Sequence, residues 1–190
     1  MCNSIQSYLK VLVTALATLM LYTAPTLAAS KAEIDRDARA ALHTLYSNNV
    51  IAKTVGNKAK GILVFPSILK AGFIVGGQGG NGALLKNGKT EGYYNTAAAS
   101  YGLQAGVQNY GYAMFFMTDA ALAYLYKSGG WEIGGGPSIV IVDKETAAAF
   151  GKSMTTSTLK DDIYAFIFSQ KGLMAGIGLQ GSKITRIHPK

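Results

Sequence analysis

From Lys60 onward the chain reads as short β-prone runs punctuated by glycine, and no other feature limits the possible folds so strongly. Residues 61–65, 72–75, 83–86 and 91–94 are rich in Ile, Leu, Val, Phe and Tyr. Glycine occurs 23 times and proline four times. There is no Gly-X-Y period, so a collagen-like triple helix is excluded and the glycines are expected in turns and close backbone contacts. Asn87-Gly88 separates the last two runs and is the strongest hairpin signal, because both residues tolerate positive φ. Residues 112–117, 138–142, 163–168 and 173–179 read as further strands.

Before Lys60 the periodicity is helical. Ser30-Lys31-Ala32-Glu33 has capping-box spacing, and Ile34, Ala38, Ala41, Leu42, Leu45 and Tyr46 follow at steps of three, four and one. This predicts an amphipathic helix over 31–47, ended by Asn48-Asn49, with a short helical stretch near 51–60. Thr118 or Asp119 can cap another short helix over 120–126, stopped by Gly129-Gly130. The expected architecture is α+β: a mostly antiparallel, Gly-rich sheet packed with an N-terminal amphipathic helix and short internal helices.

Residues 1–29 stand apart. One lysine, an apolar run over 11–22 and the stretch Thr26-Leu27-Ala28-Ala29, which ends in small residues, form the pattern of a secretory signal peptide, with cleavage expected after Ala28 or Ala29. The single cysteine, Cys2, lies in this segment. The expected mature unit is one domain, 30–190, exported to the periplasm or cell envelope and without cysteine chemistry.

Charge is distributed unevenly. The formal net charge is +8. Residues 38–90 contain no Asp or Glu, yet carry Arg39, Lys53, Lys58, Lys60, Lys70, Lys86 and Lys89. Such a stretch makes an anion-attracting surface if its side chains fold together; otherwise it simply solvates a face.

The motifs that could carry catalysis lack their context. Gly77-Gln78-Gly79-Gly80-Asn81-Gly82 matches G-x-G-x-x-G, but only four residues separate it from the Asn87-Gly88 turn, too few for the helix a dinucleotide site needs. Ser67-Ile68-Leu69-Lys70 matches S-x-x-K without its partner motifs. His43 and His188 have no metal-ligand spacing, and His43 is expected as a partly buried helix residue. Asp161-Asp162 reads as a solvated turn. No catalytic residue, metal or cofactor is assigned, and the chain is read as a non-enzyme. The central tyrosines, Tyr93, Tyr94, Tyr101, Tyr110, Tyr112, Tyr124 and Tyr126, suit either strand packing or a membrane interface. Export argues against nucleic acid as a partner.

Three ordered motifs add a resemblance. Lys58-Ala59-Lys60-Gly61-Ile62-Leu63-Val64-Phe65-Pro66, followed by Lys70-Ala71-Gly72-Phe73 and the glycine loop 76–82, resembles the opening of the SYLF domain, also called the Ysc84-type actin-binding domain. Gly102-Leu103-Gln104-Ala105-Gly106-Val107-Gln108 is similar to its central segment, and residues 169–182, from Ser169-Gln170-Lys171-Gly172 to Gln180-Gly181-Ser182, to its closing signature. The resemblance implies a lipid-binding module that engages phosphoinositides and other anionic lipids through an N-terminal amphipathic and basic region. Eukaryotic members can also bind actin. Here Tyr93-Tyr94-Asn95-Thr96-Ala97 replaces a Trp-Ser-x-Pro type sequence, and with the export signal this argues against actin. The expected partner is an anionic envelope phospholipid at a membrane surface, held by Lys53, Lys58, Lys60 and Lys70. The alternative is a structural or protein-interaction factor of the cell envelope.

Overall fold

The computed structural model describes residues 29–127, 129–142, 159–172, 179 and 181–190. In chain order the elements are α1 (Lys31–Asn48), α2 (Val50–Gly56), β1 (Gly61–Lys86), β2 (Lys89–Phe116), α3 (Asp119–Ala123) with a 3-10 turn over Tyr124–Tyr126, β3 (Trp131–Glu132), β4 (Ile139–Val142), β5 (Ile163–Gly172) and β6 (Lys183–Ile187).

The α+β expectation is corrected. The molecule is built mainly from one strongly curled, mixed sheet, and its helices are few and short. Five expected strands are arms of only two, β1 with 26 residues and β2 with 28. The glycine stretch 76–82, expected as a loop, is strand paired with residues 94–100. Pairing is antiparallel for β1–β2, β2–β5, β2–β6 and β3–β6 but parallel for β4–β5. Strands β3 and β6 were not anticipated, and the strand expected over 173–179 falls almost entirely outside the described residues.

Length explains the curl. A straight 26-residue strand would run about 86 Å at ~3.3 Å per residue. A compact domain of this size has a radius of gyration of only about 15 Å, so the ribbon must coil. It does so at three register shifts, between Phe65 and Ile68, Gly72 and Ile74, and Leu84 and Leu85. At the second, a Cβ on Gly72 would lie 2.6 Å from the Gly76 Cα. Beyond that bend the second arm of β1 lies against the first, where any side chain on Gly80 would meet the Ser67 carbonyl and one on Gly82 the Val64 carbonyl.

One edge of β2 carries β1 and the other carries β6 over Tyr93–Ala97, then β5 over Gln108–Phe116. The concave side is filled by Leu63, Phe65, Ile68, Leu84, Tyr94, Tyr110, Tyr112, Met114 and Phe116 with Trp131 and Ile184. The outer side packs Val64, Ala83, Leu85, Ala113, Phe115 and Phe166 against Ile34, Ala38 and Leu45 of α1 and Ala52 and Val55 of α2. Full burial of an aliphatic side chain of that size contributes about 1.5–3 kcal/mol, so the outer seam is what holds α1 in place.

The local signals hold. Ser30 and Glu33 form a reciprocal capping box. Asn49 caps α2 and Thr118 caps α3 through Ala52 and Ala121 N–H groups. Asn87 and Gly88 have φ of 51° and 73°, the geometry of a type I′ turn.

Candidate functional site

The four lysines singled out from the sequence do not form one patch. Lys53, on α2, and Lys58 and Lys60, in the turn leading to β1, are exposed. Lys70 is 7% exposed, points to the concave side opposite Gln108, and is engaged by neighbouring groups. The shift between Phe65 and Ile68 is the reason. Before it Leu63 and Phe65 face inward, and after it Ile68 and Lys70 do, so the one extra residue reverses the parity.

Lys60 instead meets two cations that sequence distance had concealed. An open groove of about 500 Å³ lies between α1, the α2–β1 turn and the tip of the β1–β2 hairpin. Arg39, Leu42, His43 and Tyr46 enter it from α1, Lys60 and Ile62 from the start of β1, and Leu85 and Lys86 from the end of β1. Positions 39, 42, 43 and 46 share a helix face because their spacing is three, four and seven. His43, expected as partly buried, is exposed.

A second network fixes the hairpin to α1. The Arg39 guanidinium donates to the Gly88 carbonyl at 2.9 Å and to Thr90 Oγ1 at 3.1 Å. Thr90 Oγ1 donates in turn to Asp35 Oδ1 at 2.7 Å, and the Tyr93 hydroxyl to Asp35 Oδ2 at 3.0 Å. Burial, followed by the Asp35 bond, pushes the Tyr93 hydroxyl above the usual phenol range. The carboxylate of Asp35 is thereby spent on the latch, and among the described residues no Asp or Glu lines the groove. Lys86 Nζ lies 4.0 Å from Glu91, in a partly solvated pair that contributes little.

Chemically the arrangement can attract and hold an anion beside an apolar wall. It offers no nucleophile with a base beside it. Among the described residues no group of His, Cys, Asp or Glu could hold a metal ion. Ser67 of the S-x-x-K match sits in a strand, hydrogen-bonded to Asn109. Asp162 accepts from the Ser138 N–H, the Ser138 hydroxyl and Thr118 Oγ1, so it ties β4 to the start of β5 rather than standing free in a turn. Three of the central tyrosines are core residues: Tyr94, Tyr110 and Tyr112 are 0–1% exposed. Tyr124 and Tyr126 lie at the 3-10 turn, where Tyr126 donates to Glu91. No helix among the described residues is long and apolar enough to cross a membrane.

No curated protein matches the chain. The family model Ysc84, described as "Las17-binding protein actin regulator", matches residues 97–188. Arg39, Lys53, Lys58, Lys60 and Lys86 therefore lie outside the matched segment, which covers most of β2, then β3 to β6 and the intervening residues, but not β1. The family is one of binding domains, which supports a lipid- or actin-binding role over a catalytic one. Over residues 97–188 the chain matches the Ysc84 (SYLF) family, the family that the three sequence motifs resemble.

Proposed function

We propose that the chain is a non-enzymatic protein of the periplasm or cell envelope that binds anionic phospholipid at a membrane surface. The observation that supports this most is the placement of three exposed lysines, Lys53, Lys58 and Lys60, within eight residues, with Arg39 and Lys86 brought to the same groove as Lys60. Each basic side chain near an anionic surface contributes about 1 kcal/mol, and salt weakens the sum.

Co-sedimentation with neutral vesicles and with vesicles containing phosphatidylglycerol or cardiolipin tests it, at low and high salt. Pelleting with anionic vesicles alone, reduced by salt, is expected. The triple substitution Lys53→Gln, Lys58→Gln, Lys60→Gln removes about 3 kcal/mol, a loss on the order of 100-fold. Undiminished binding by the folded triple variant would sink the site. Filamentous actin belongs in the same assay, since the family description names actin regulation.

A protein partner is the second reading, favoured by exposed Leu69, Val75 and Val107 on β1 and β2. A discrete protein adduct from cross-linking in intact cells that survives lipid competition would support it.

A further inference from the structure

We infer that the groove between α1 and the hairpin tip binds a single phosphate-bearing, single-chain amphiphile as a monomer, the phosphate among Arg39, Lys60 and Lys86 and the chain along Leu42, Ile62 and Leu85. This rests on the lipid reading above and specifies its ligand. A surface that only touches a bilayer needs charges spread over a convex face. Here three cations and three aliphatic side chains converge on one concavity of about 500 Å³, within the range of small-molecule sites.

The charge inventory selects the headgroup. Arg39 and the two lysines enter from three different segments, and no carboxylate among the described residues lines the site. A phosphate monoester has several strong acceptor oxygens and up to two charges, so it can engage three cations at once, whereas a carboxylate has two oxygens and one charge. His43 on the same wall adds a further ring N–H donor. A nucleotide is a poor fit. Tyr46, the single aromatic residue among the described residues of the groove, is half-buried with its ring packed 6.3 Å from that of Phe115, which occupies it in the outer seam.

The latch preorganises the site. Arg39 is held by Gly88 and Thr90 before any ligand arrives, so little ordering of the arginine has to accompany binding. Among the described residues Lys86 is paired only with Glu91, at 4.0 Å, and releasing it costs little.

The test is calorimetric titration of the intact chain with octanoyl lysophosphatidate below its micelle concentration, in parallel with glycerol 3-phosphate, inorganic phosphate and octanoate. Lysophosphatidate is expected to bind at least tenfold more tightly than any of the other three. Lys60→Gln with Lys86→Gln should weaken it at least tenfold while circular dichroism stays unchanged. Lys171→Gln, on β5, should leave it unchanged, and Glu91→Gln should tighten it two- to fivefold by removing the competing carboxylate. Equal binding of inorganic phosphate and lysophosphatidate would overturn the apolar half of the site. Wild-type protein that pellets with anionic vesicles yet ignores the monomer would overturn the groove and leave the surface reading standing. Loss of both would overturn both.

Discussion

At the scale of single residues, ionisation reports the packing. The Ser30 N–H and hydroxyl donate to Glu33 Oε2 at 2.8 and 3.1 Å, and the backbone bond, then the side-chain bond, hold the Glu33 carboxyl below the usual carboxylate range. A folded pKa below the unfolded one stabilises the fold above the unfolded pKa and ceases to as pH falls through the folded value. Ser30→Ala should therefore lower Tm by about 2–4 °C at neutral pH, with the difference from wild type shrinking in acid, as thermal melts across pH would show. Tyr110 has the opposite sign. Burial pushes its hydroxyl from 10.0 up to about 12. The neutral phenol is favoured in the fold, so its contribution is complete below pH 10 and is lost as pH rises through about 12. Tyr110→Phe should cost about 1 kcal/mol at neutral pH through the lost 2.9 Å bond to Gln78 and should flatten the alkaline decline. Absorbance at 295 nm follows the ionisation directly.

The same division, local against distant, decides which elements the sequence reveals. The capping box, the I′ turn and the caps at Asn49 and Thr118 depend on residues within four positions of each other, and they are legible. The two long strands are not, because Gly72, Gly76, Gly80 and Gly82 resemble turn residues until their contacts are known. Gly80 and Gly82 are small so that one arm of β1 can rest on the other, a contact between residues some 13 to 18 apart along the chain. The parity reversal at Pro66-Ser67 is equally invisible, and it moves Lys70 from the expected surface to the interior. Gly82→Ala should destabilise by about 1–3 kcal/mol through forced displacement of the Val64 carbonyl and the Phe65 ring. Gly77→Ala should be tolerated, because its Cβ would meet only the Ala98 carbonyl at 3.7 Å. Chemical denaturation of the two variants separates a packing contact from a general need for glycine in β1, since equal losses would contradict the crossing of the two arms.

Across the whole molecule, one basic stretch serves two surfaces. Residues 38–90 carry seven cations and no acid, yet the curl sends Lys53, Lys58 and Lys60 outward and Lys70 inward. Net charge alone would rank them equally in attraction to an anionic membrane; burial does not. On the proposed reading an exposed lysine would reach the headgroups and lose little hydration, whereas Lys70 would have to abandon its neighbours and cross the concave core. Lys70→Gln should accordingly lower stability by about 1–3 kcal/mol, since groups that engage the ammonium lose their partner. Its affinity for anionic vesicles should stay within about twofold of wild type, with the same salt dependence. Melting and co-sedimentation on one preparation measure both quantities. A folded Lys70→Gln protein with unchanged Tm and tenfold weaker vesicle binding would mean that the concave side, and not the helix-covered outer side, faces the lipid.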